Sequence, residues 1–372
     1  MFVFVTSFNC HLVKPLLEEI SKYLNEKVIV IECIEITQER KNMGYEQYAS
    51  SGNIEIVSLL RERSRCMDLI NNADVVHYGW HLVDLLKKRV KGNKLTILEN
   101  ERILKKGVIK FLDPRLWKQV FFNIYSRNKN VYFLSTGDYA ANDYRILGFN
   151  RDKILRFGYF TKTYFYENVF ENKTKAEPLR CLWVGRFISW KKPIDVLKAI
   201  KGIPKGKIQL KILGDGIMRK NIENFISKYD LDNVELTGML PLDEVRNEML
   251  KADVLISTST REEGWGAVIN EAMNSGCAII SSNGTGAVPN LIKDGFNGFV
   301  YRSGCIVQLE EKLIILANDK KLAWEQGRNA YNTITHLWNE QVAATRIMEW
   351  IEEHKQGSEK IFEDGPCSKV FG

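Results

Sequence analysis

Residues 179–216 read "LRCLWVGRFISWKKPIDVLKAIKGIPKGKIQLKILGDG", and their rhythm decides the architecture. A short apolar run stops at Gly185, a stretch with amphipathic helical spacing follows from Lys192, and a second β-rich run stops at Gly214-Asp215-Gly216. Strand, helix and strand in that order make a crossover between parallel strands. Downstream the alternation continues through "MRKNIENFISKYD", "NVELTGM", "LDEVRNEMLKA", "DVLISTS", "CAIISS" and "GFVY". Upstream an equivalent series runs from "FVFVTS" through a helix to about Leu24, "KVIVIECI", a helix near "IEIVSLLRERSRCMDLINNA", "DVVHYG", a helix "HLVDLLKKRVKG", "KLTIL", "NVYFLST" and "KILRFGYF". The fold class is therefore α/β, with two doubly wound parallel sheets expected to face each other across a cleft, ligands binding beyond the C-terminal strand ends. The expected boundaries are 1–160 for the first domain, 161–178 for a connecting segment, 179–335 for the second domain, 336–356 for a helix returning to the first, and 357–372 for a fraying tail.

At 372 residues the chain can build two cores, and 45% hydrophobic with 11% aromatic residues describes a globular protein rather than a disordered one. A net charge of +7 favours anionic ligands, anionic lipid or nucleic acid without choosing among them. No uncharged apolar run is long enough to span a bilayer, and the start "MFVFVTSFNCHLVKPLLEEI" lacks a basic, then apolar, secretion signal, so a cytoplasmic location is expected, with contact at the inner face of the membrane left open. Cys10, Cys33, Cys66, Cys181, Cys277, Cys305 and Cys367 form no CxxC pair and read as reduced thiols. His77 and His81 have an i, i+4 spacing, but "DVVHYGW" reads as a strand entering a turn, which separates their faces; no metal site is expected.

The chemistry-bearing residues gather at strand ends of the second half. Residues 261–276, "REEGWGAVINEAMNSG", place Glu263 and Glu271 about Gly264-Trp265-Gly266, where glycines let the backbone approach a ligand and the following helix start favours an anion. The same acids could instead balance a helix dipole and sit on a solvated face. Arg186 and Lys191 follow the strand end at Gly185; an arginine fork and a lysine point charge suit a diphosphate, although a solvated basic loop reads the same way. Gly214 and Asp215 occupy the next strand end. "NGTGAVPN" has Pro289 where a dinucleotide fingerprint needs its third glycine and supports no NAD site.

Taken in order, "VGRFISWKKPIDVLKAI", "KILGDG" and "LTGMLPLDEVRNEMLKADVLISTSTREEGWGAVINEAMNSGCAIISSNGTGAVPNLIKDGFNGFVY" resemble the nucleotide-sugar half of the GT-B glycosyltransferases, specifically the retaining family 4, in a subset similar to capsule and O-antigen transferases. The acids correspond to that family's E-x7-E signature. The resemblance implies two Rossmann-like domains and retention without a bound metal or cofactor. It implies that Arg186 and Lys191 hold the donor diphosphate and that Glu263 faces the transferred sugar. Beside Glu263 lie the N–H groups of Gly264, Trp265 and Gly266, while Glu271 takes the ribose hydroxyls. Gly185, Gly214 and Asp215 complete the donor site. The chain departs from the family at Asn290, where many members carry a glutamate, in the first-strand loop "TSFNCH", and after the fourth strand, where "LTILENERILKKG" replaces a histidine. Glu99, Glu101 and Arg102 are the candidate cleft residues there, with an ordinary surface loop as the alternative.

The first domain is expected to take the acceptor, a saccharide or lipid-linked oligosaccharide. Lys87, Lys88, Arg89, Lys105, Lys106, Lys110, Arg115 and Lys118 lie near Trp117, Phe121 and Phe122, which suits an anionic membrane surface or, alternatively, a helix packing its aromatic side into the core. No nucleic-acid module is recognisable. The expected activity is transfer of a sugar from a UDP- or GDP-linked donor during surface polysaccharide synthesis. A GT-B epimerase or phosphorylase, or a degenerate non-catalytic subunit, are the alternatives.

Overall fold

The structure, a computed structural model, describes residues 1–42, 45–173 and 178–371. The chain forms two compact units, Met1–Lys162 with Trp338–Gly372, and Thr163–Leu337.

In the first unit seven strands alternate with helices: β1 Phe2–Thr6, α1 Lys14–Leu24, β2 Val28–Glu32, α2 Gln38–Asn42, β3 Ile54–Ser58, α3 Arg63–Asn72, β4 Val75–Tyr78, α4 Lys87–Lys91, β5 Thr96–Asn100, α5 Pro114–Ser126, β6 Val131–Thr136, α6 Asp138–Ile146 and β7 Ile154–Phe157. They pair in the order β3-β2-β1-β4-β5-β6-β7, each pair parallel. All five residues of β1 are buried, as expected of a strand covered on both faces. Strand order reverses at β1 and β4, so the loops after Thr6 and Tyr78 part there and leave a crevice.

The second unit contains β8 Leu179–Val184, α7 Pro193–Lys201, β9 Ile208–Leu213, α8 Arg219–Lys228, β10 Val234–Gly238, α9 Leu242–Lys251, β11 Val254–Ser257, α10 Val268–Asn274, β12 Ala278–Ser282, α11 Val288–Leu291, β13 Gly298–Tyr301, α12 Ile306–Asn318 and α13 Lys320–His336. Its order, β10-β9-β8-β11-β12-β13, is again all parallel and reverses at β8 and β11. Each unit has its own apolar core, one around Val3, Val76 and Phe133, the other around Trp183, Leu210 and Ile256.

Four expectations need correction, the last of them in the tail. The stretch "IEIVSLLRERSRCMDLINNA" is not one helix: β-branched Ile54, Ile56 and Val57 pair with β2 as an edge strand, and the helix begins only at Arg63. "LTIL" consequently belongs to the fifth strand, not the fourth. The segment expected to connect the domains is largely part of the second unit. The Asn274 side chain bridges both backbone groups of Tyr164 at 2.9 Å, the Tyr331 hydroxyl accepts from Tyr166 N–H at 2.8 Å, and buried Lys173 donates to the Ala252 carbonyl. Residues 174–177 of that segment lie outside the described residues, as does 372 of the tail.

The last helix, α14 Glu340–Lys355, lies in the first unit and packs on α1, its start capped by the Asn339 side chain at 2.8 Å from Val342 N–H. The tail does not fray. Cys367 N–H donates to Arg156 O and Arg156 N–H to Ser368 O, both at 2.8 Å, so the tail runs antiparallel along the β7 edge and covers it.

Candidate functional site

At the β8/β11 reversal the second unit brings together most of the residues singled out in its sequence. Gly214, at φ +140°, lies against the loop after β8: a Cβ there would sit 1.9 Å from the Gly185 carbonyl oxygen. A Cβ on Gly216, at φ +150°, would lie 2.8 Å from the carbonyl oxygen of Phe187, whose N–H donates to Asp215 O at 2.8 Å. These glycines exist for loop-on-loop approach. Gly185 itself leaves room for the Lys191 stem, 3.6 Å from where its Cβ would be. The Asp215 carboxylate accepts from Gly216 N–H at 2.7 Å and pairs with Arg219 at 3.2 Å, so it fastens its own loop.

Lys191 reaches across to Glu263, and the two form an ion pair in which both side chains are largely buried. The Ser259 hydroxyl donates to the same carboxylate at 3.1 Å, and the Thr258 hydroxyl fixes the Lys191 carbonyl at 2.6 Å. Arg186 is exposed, its guanidinium 5.5 Å from the centre of the Trp190 ring. Among the described residues no group accepts from the N–H of Gly264 or of Gly266, which leaves two backbone donors beside the Lys191–Glu263 pair. The Trp265 ring is 0% exposed and donates to Asn270 at 2.8 Å, so the side chain anchors from beneath the loop that carries its backbone N–H. Helix α10 has only seven residues, so a helix-dipole account of anion binding weakens and the charge must come from Lys191 and Arg186.

Glu271 lies on α10, half-buried. Among the described residues none donates to its carboxylate, and burial pushes its pKa up to about 7 despite the opposing field of Arg246. A carboxylate that has lost water without gaining donors is unsatisfied until a ligand supplies them. The glycines of "NGTGAVPN" have a packing reason: a Cβ on Gly286 would lie 1.6 Å from the Gly264 carbonyl, and one on Gly284 would lie 2.8 Å from Thr260.

The first unit has a cavity of about 360 Å³ at its own strand reversal, lined by Glu99, Glu101 and Arg102. All three side chains are at least half-buried there. Glu99, at the end of β5, is bonded to the buried His77 Nε2 at 2.6 Å; Glu101 accepts from Lys105 at 2.5 Å; Arg102 lies 3.7 Å from Asp143 and over the Tyr139 ring. Tyr159, Phe8 and Trp80, which the sequence did not single out, share the lining with His81. Burial and then Glu101 and Glu99 push the Tyr159 hydroxyl up, Phe8 and Trp80 offer apolar faces, and burial and then Arg115 push His81 down. Strand β4 ends at Tyr78, so His77 lies in the strand and His81 in the turn after it, the separation expected from "VVHYGWH". Arg89 leaves the basic surface set, because it is buried and donates to the carbonyls of Ile70, Ala73 and Leu95. Phe122 is likewise buried, whereas Trp117 and Phe121 face outward.

Residues 166–333 match the model of the family described as glycosyl transferases group 1. An uncharacterised glycosyltransferase of Methanocaldococcus jannaschii is 36% identical over 149 residues, 40% of this chain and 41% of that one. The poly(glycerol-phosphate) alpha-glucosyltransferase of Bacillus subtilis is 28% identical over 207 residues, 53% of this chain and 30% of that one. The chain thus spans less than half the length of these curated relatives. Among solved structures, Anabaena HepE in complex with UDP superposes with a TM-score of 0.69 over 94% of this chain and 99% of that one, at 14% identity. Residues 166–333 are therefore similar to the glycosyl transferases group 1 family, in a chain that has the fold of GT-B glycosyltransferases.

Proposed function

We propose that the chain transfers a hexose from a UDP- or GDP-linked donor to a saccharide acceptor, with retention of configuration and without a metal. The observation that carries this reading is the unsatisfied Glu271 carboxylate in the same loop and helix as the Lys191–Glu263 pair. A ribose offers two adjacent hydroxyl donors, which is what such a carboxylate lacks. In this reading Arg186 and Lys191 neutralise the departing diphosphate. Glu263 and the open N–H groups of Gly264 and Gly266 hold the sugar as positive charge develops at its anomeric carbon. Attack from the leaving-group side, with a phosphate oxygen taking the acceptor proton, requires no protein nucleophile.

The first-unit cavity supports the acceptor half of the reading. Apolar faces at Phe8 and Trp80 beside carboxylates at Glu99 and Glu101 match a sugar ring, which has apolar faces and a polar rim. Glu99, Glu101 and Arg102 would bind acceptor hydroxyls. A lipid-linked acceptor in surface polysaccharide synthesis, met at the inner face of a cytoplasmic membrane, is the setting we infer. The names of similar proteins make UDP-glucose and a polymeric phosphate-containing acceptor the first compounds to try.

Calorimetric titration with UDP, GDP and ADP tests the donor half. One nucleoside diphosphate should bind, and Arg186→Ala should weaken it by about tenfold or more. Radiolabelled transfer should fall by about a hundredfold or more in Glu263→Gln. Binding of none of the three, or full turnover in Glu263→Gln, would remove the assignment.

A further inference from the structure

The surface of the first unit carries one concentration of apolar side chains that neither candidate site uses. The turn at residues 107–112 exposes Val108, Ile109 and Leu112, at 81%, 68% and 83%. Helix α5 follows at once and exposes Trp117, Phe121, Ile124 and Tyr125, which recur at i, i+4, i+7 and i+8 and so form one stripe, while Leu116, Gln119, Phe122 and Asn123 face the core. Trp117 joins turn and helix: its indole N–H donates to Phe111 O at 3.0 Å and its ring meets the Phe111 ring edge-on. The two pieces therefore present one continuous apolar surface, and a patch of this kind marks an interaction face.

Charge selects the occupant. Residues 105–129 hold seven lysines and arginines against Asp113 alone. Asp113 pairs with Lys110 and Arg115, and Lys118 pairs with Asp84, yet the stretch keeps a large positive excess. A second copy docking through the same face would bring like charge onto like charge, whereas anionic headgroups would neutralise it while the acyl region took the apolar stripe. Interfacial aromatic residues, Trp117 and Tyr125, suit that boundary.

We infer that the 107–112 turn and the outer stripe of α5 form a docking surface for an anionic phospholipid bilayer, on which the chain lies without crossing it. Among the described residues no helix is long and apolar enough to span a membrane. The inference is independent of the proposed transfer activity, because it needs neither donor nor acceptor.

Co-sedimentation of the full chain with vesicles tests it. The protein should pellet with mixed phosphatidylcholine and phosphatidylglycerol vesicles, remain in solution with phosphatidylcholine alone, and be released by salt. Val108→Ser/Leu112→Ser/Phe121→Ser should weaken partitioning by about tenfold or more with an unchanged melting temperature. Lys106→Glu/Lys118→Glu/Arg127→Glu, which leaves the apolar stripe intact, should lose the preference for anionic vesicles and covers the case in which the first variant fails to fold. Absence of vesicle binding overturns the inference, as does binding by both variants that is undiminished from the parent's. A dimer seen in sedimentation velocity and abolished by the serine variant would assign the surface to a second copy instead.

Discussion

Glu271 shows how one side chain can work against folding and for binding at once. Its ordinary value of 4.5 is raised to about 7 by burial, so the folded state holds the proton more tightly than the unfolded chain. The resulting stability is fully present below about pH 4.5 and is lost as pH rises through 7. Glu271→Gln removes that loss: its melting temperature should exceed the parent's at pH 8 and match it near pH 4.5. Nucleotide binding should run the other way. Ribose hydroxyls need the ionised carboxylate, so affinity should fall by up to about tenfold per unit as pH drops below 7, with proton release measurable in buffers of different ionisation heat. A pH-independent affinity in the parent protein, or a pH-dependent one in Glu271→Gln, would show that another group sets the profile. The two acids of the signature thus differ in kind, since Glu263 already has Lys191 and Ser259 as partners while Glu271 has none among the described residues.

At the scale of elements, the loops after β8 and β9 hold each other in place, and glycine permits it. Gly214→Ala would combine a φ of +140° with a Cβ 1.9 Å from the Gly185 oxygen, so the loops must separate. A loss of about 3 kcal/mol in denaturant unfolding is expected, together with loss of nucleotide binding, because Lys191 emerges from the same loop. A neutral effect on stability would mean that the loops move freely. Arg89 performs the corresponding task in the first unit, tying the end of α3 to the start of β5. Arg89→Met keeps the bulk but removes the guanidinium donors to the buried carbonyls of Ile70 and Ala73, and should lower stability by about 3 kcal/mol with no change in vesicle binding. The parallel alternation was legible because buried strands such as "FVFVT" and "VLIS" are apolar throughout. β3 was not, since Glu55 and Ser58 interrupt an edge strand whose apolar residues also fit a helical period. The donor loops were legible because glycine and charge cluster at strand ends. The first-unit cavity was legible only at Glu99, Glu101 and Arg102; Phe8, Tyr159 and Trp80 reach it through strand register and chain crossing, which local sequence does not encode.

For the whole molecule, the decisive fact is that the chain enters the second unit at Thr163 and returns to the first at Trp338. Each unit has its own sheet and its own core, so each can unfold as a cooperative body. Scanning calorimetry should then resolve two transitions. The bound nucleoside diphosphate should raise only the transition of the second unit, by the equivalent of about 2.7 kcal/mol at a hundred times its dissociation constant. Removing residues 357–371 should act on the other transition alone, because it strips the antiparallel pairing of Cys367 and Ser368 from Arg156 and uncovers β7. Arg89→Met belongs with the truncation and Gly214→Ala with the nucleotide, so four perturbations sort into two pairs. A single transition shifted by all four would mean that the units unfold as one, and a nucleotide that raised the first unit's transition would move the donor site away from Lys191, Glu263 and Glu271.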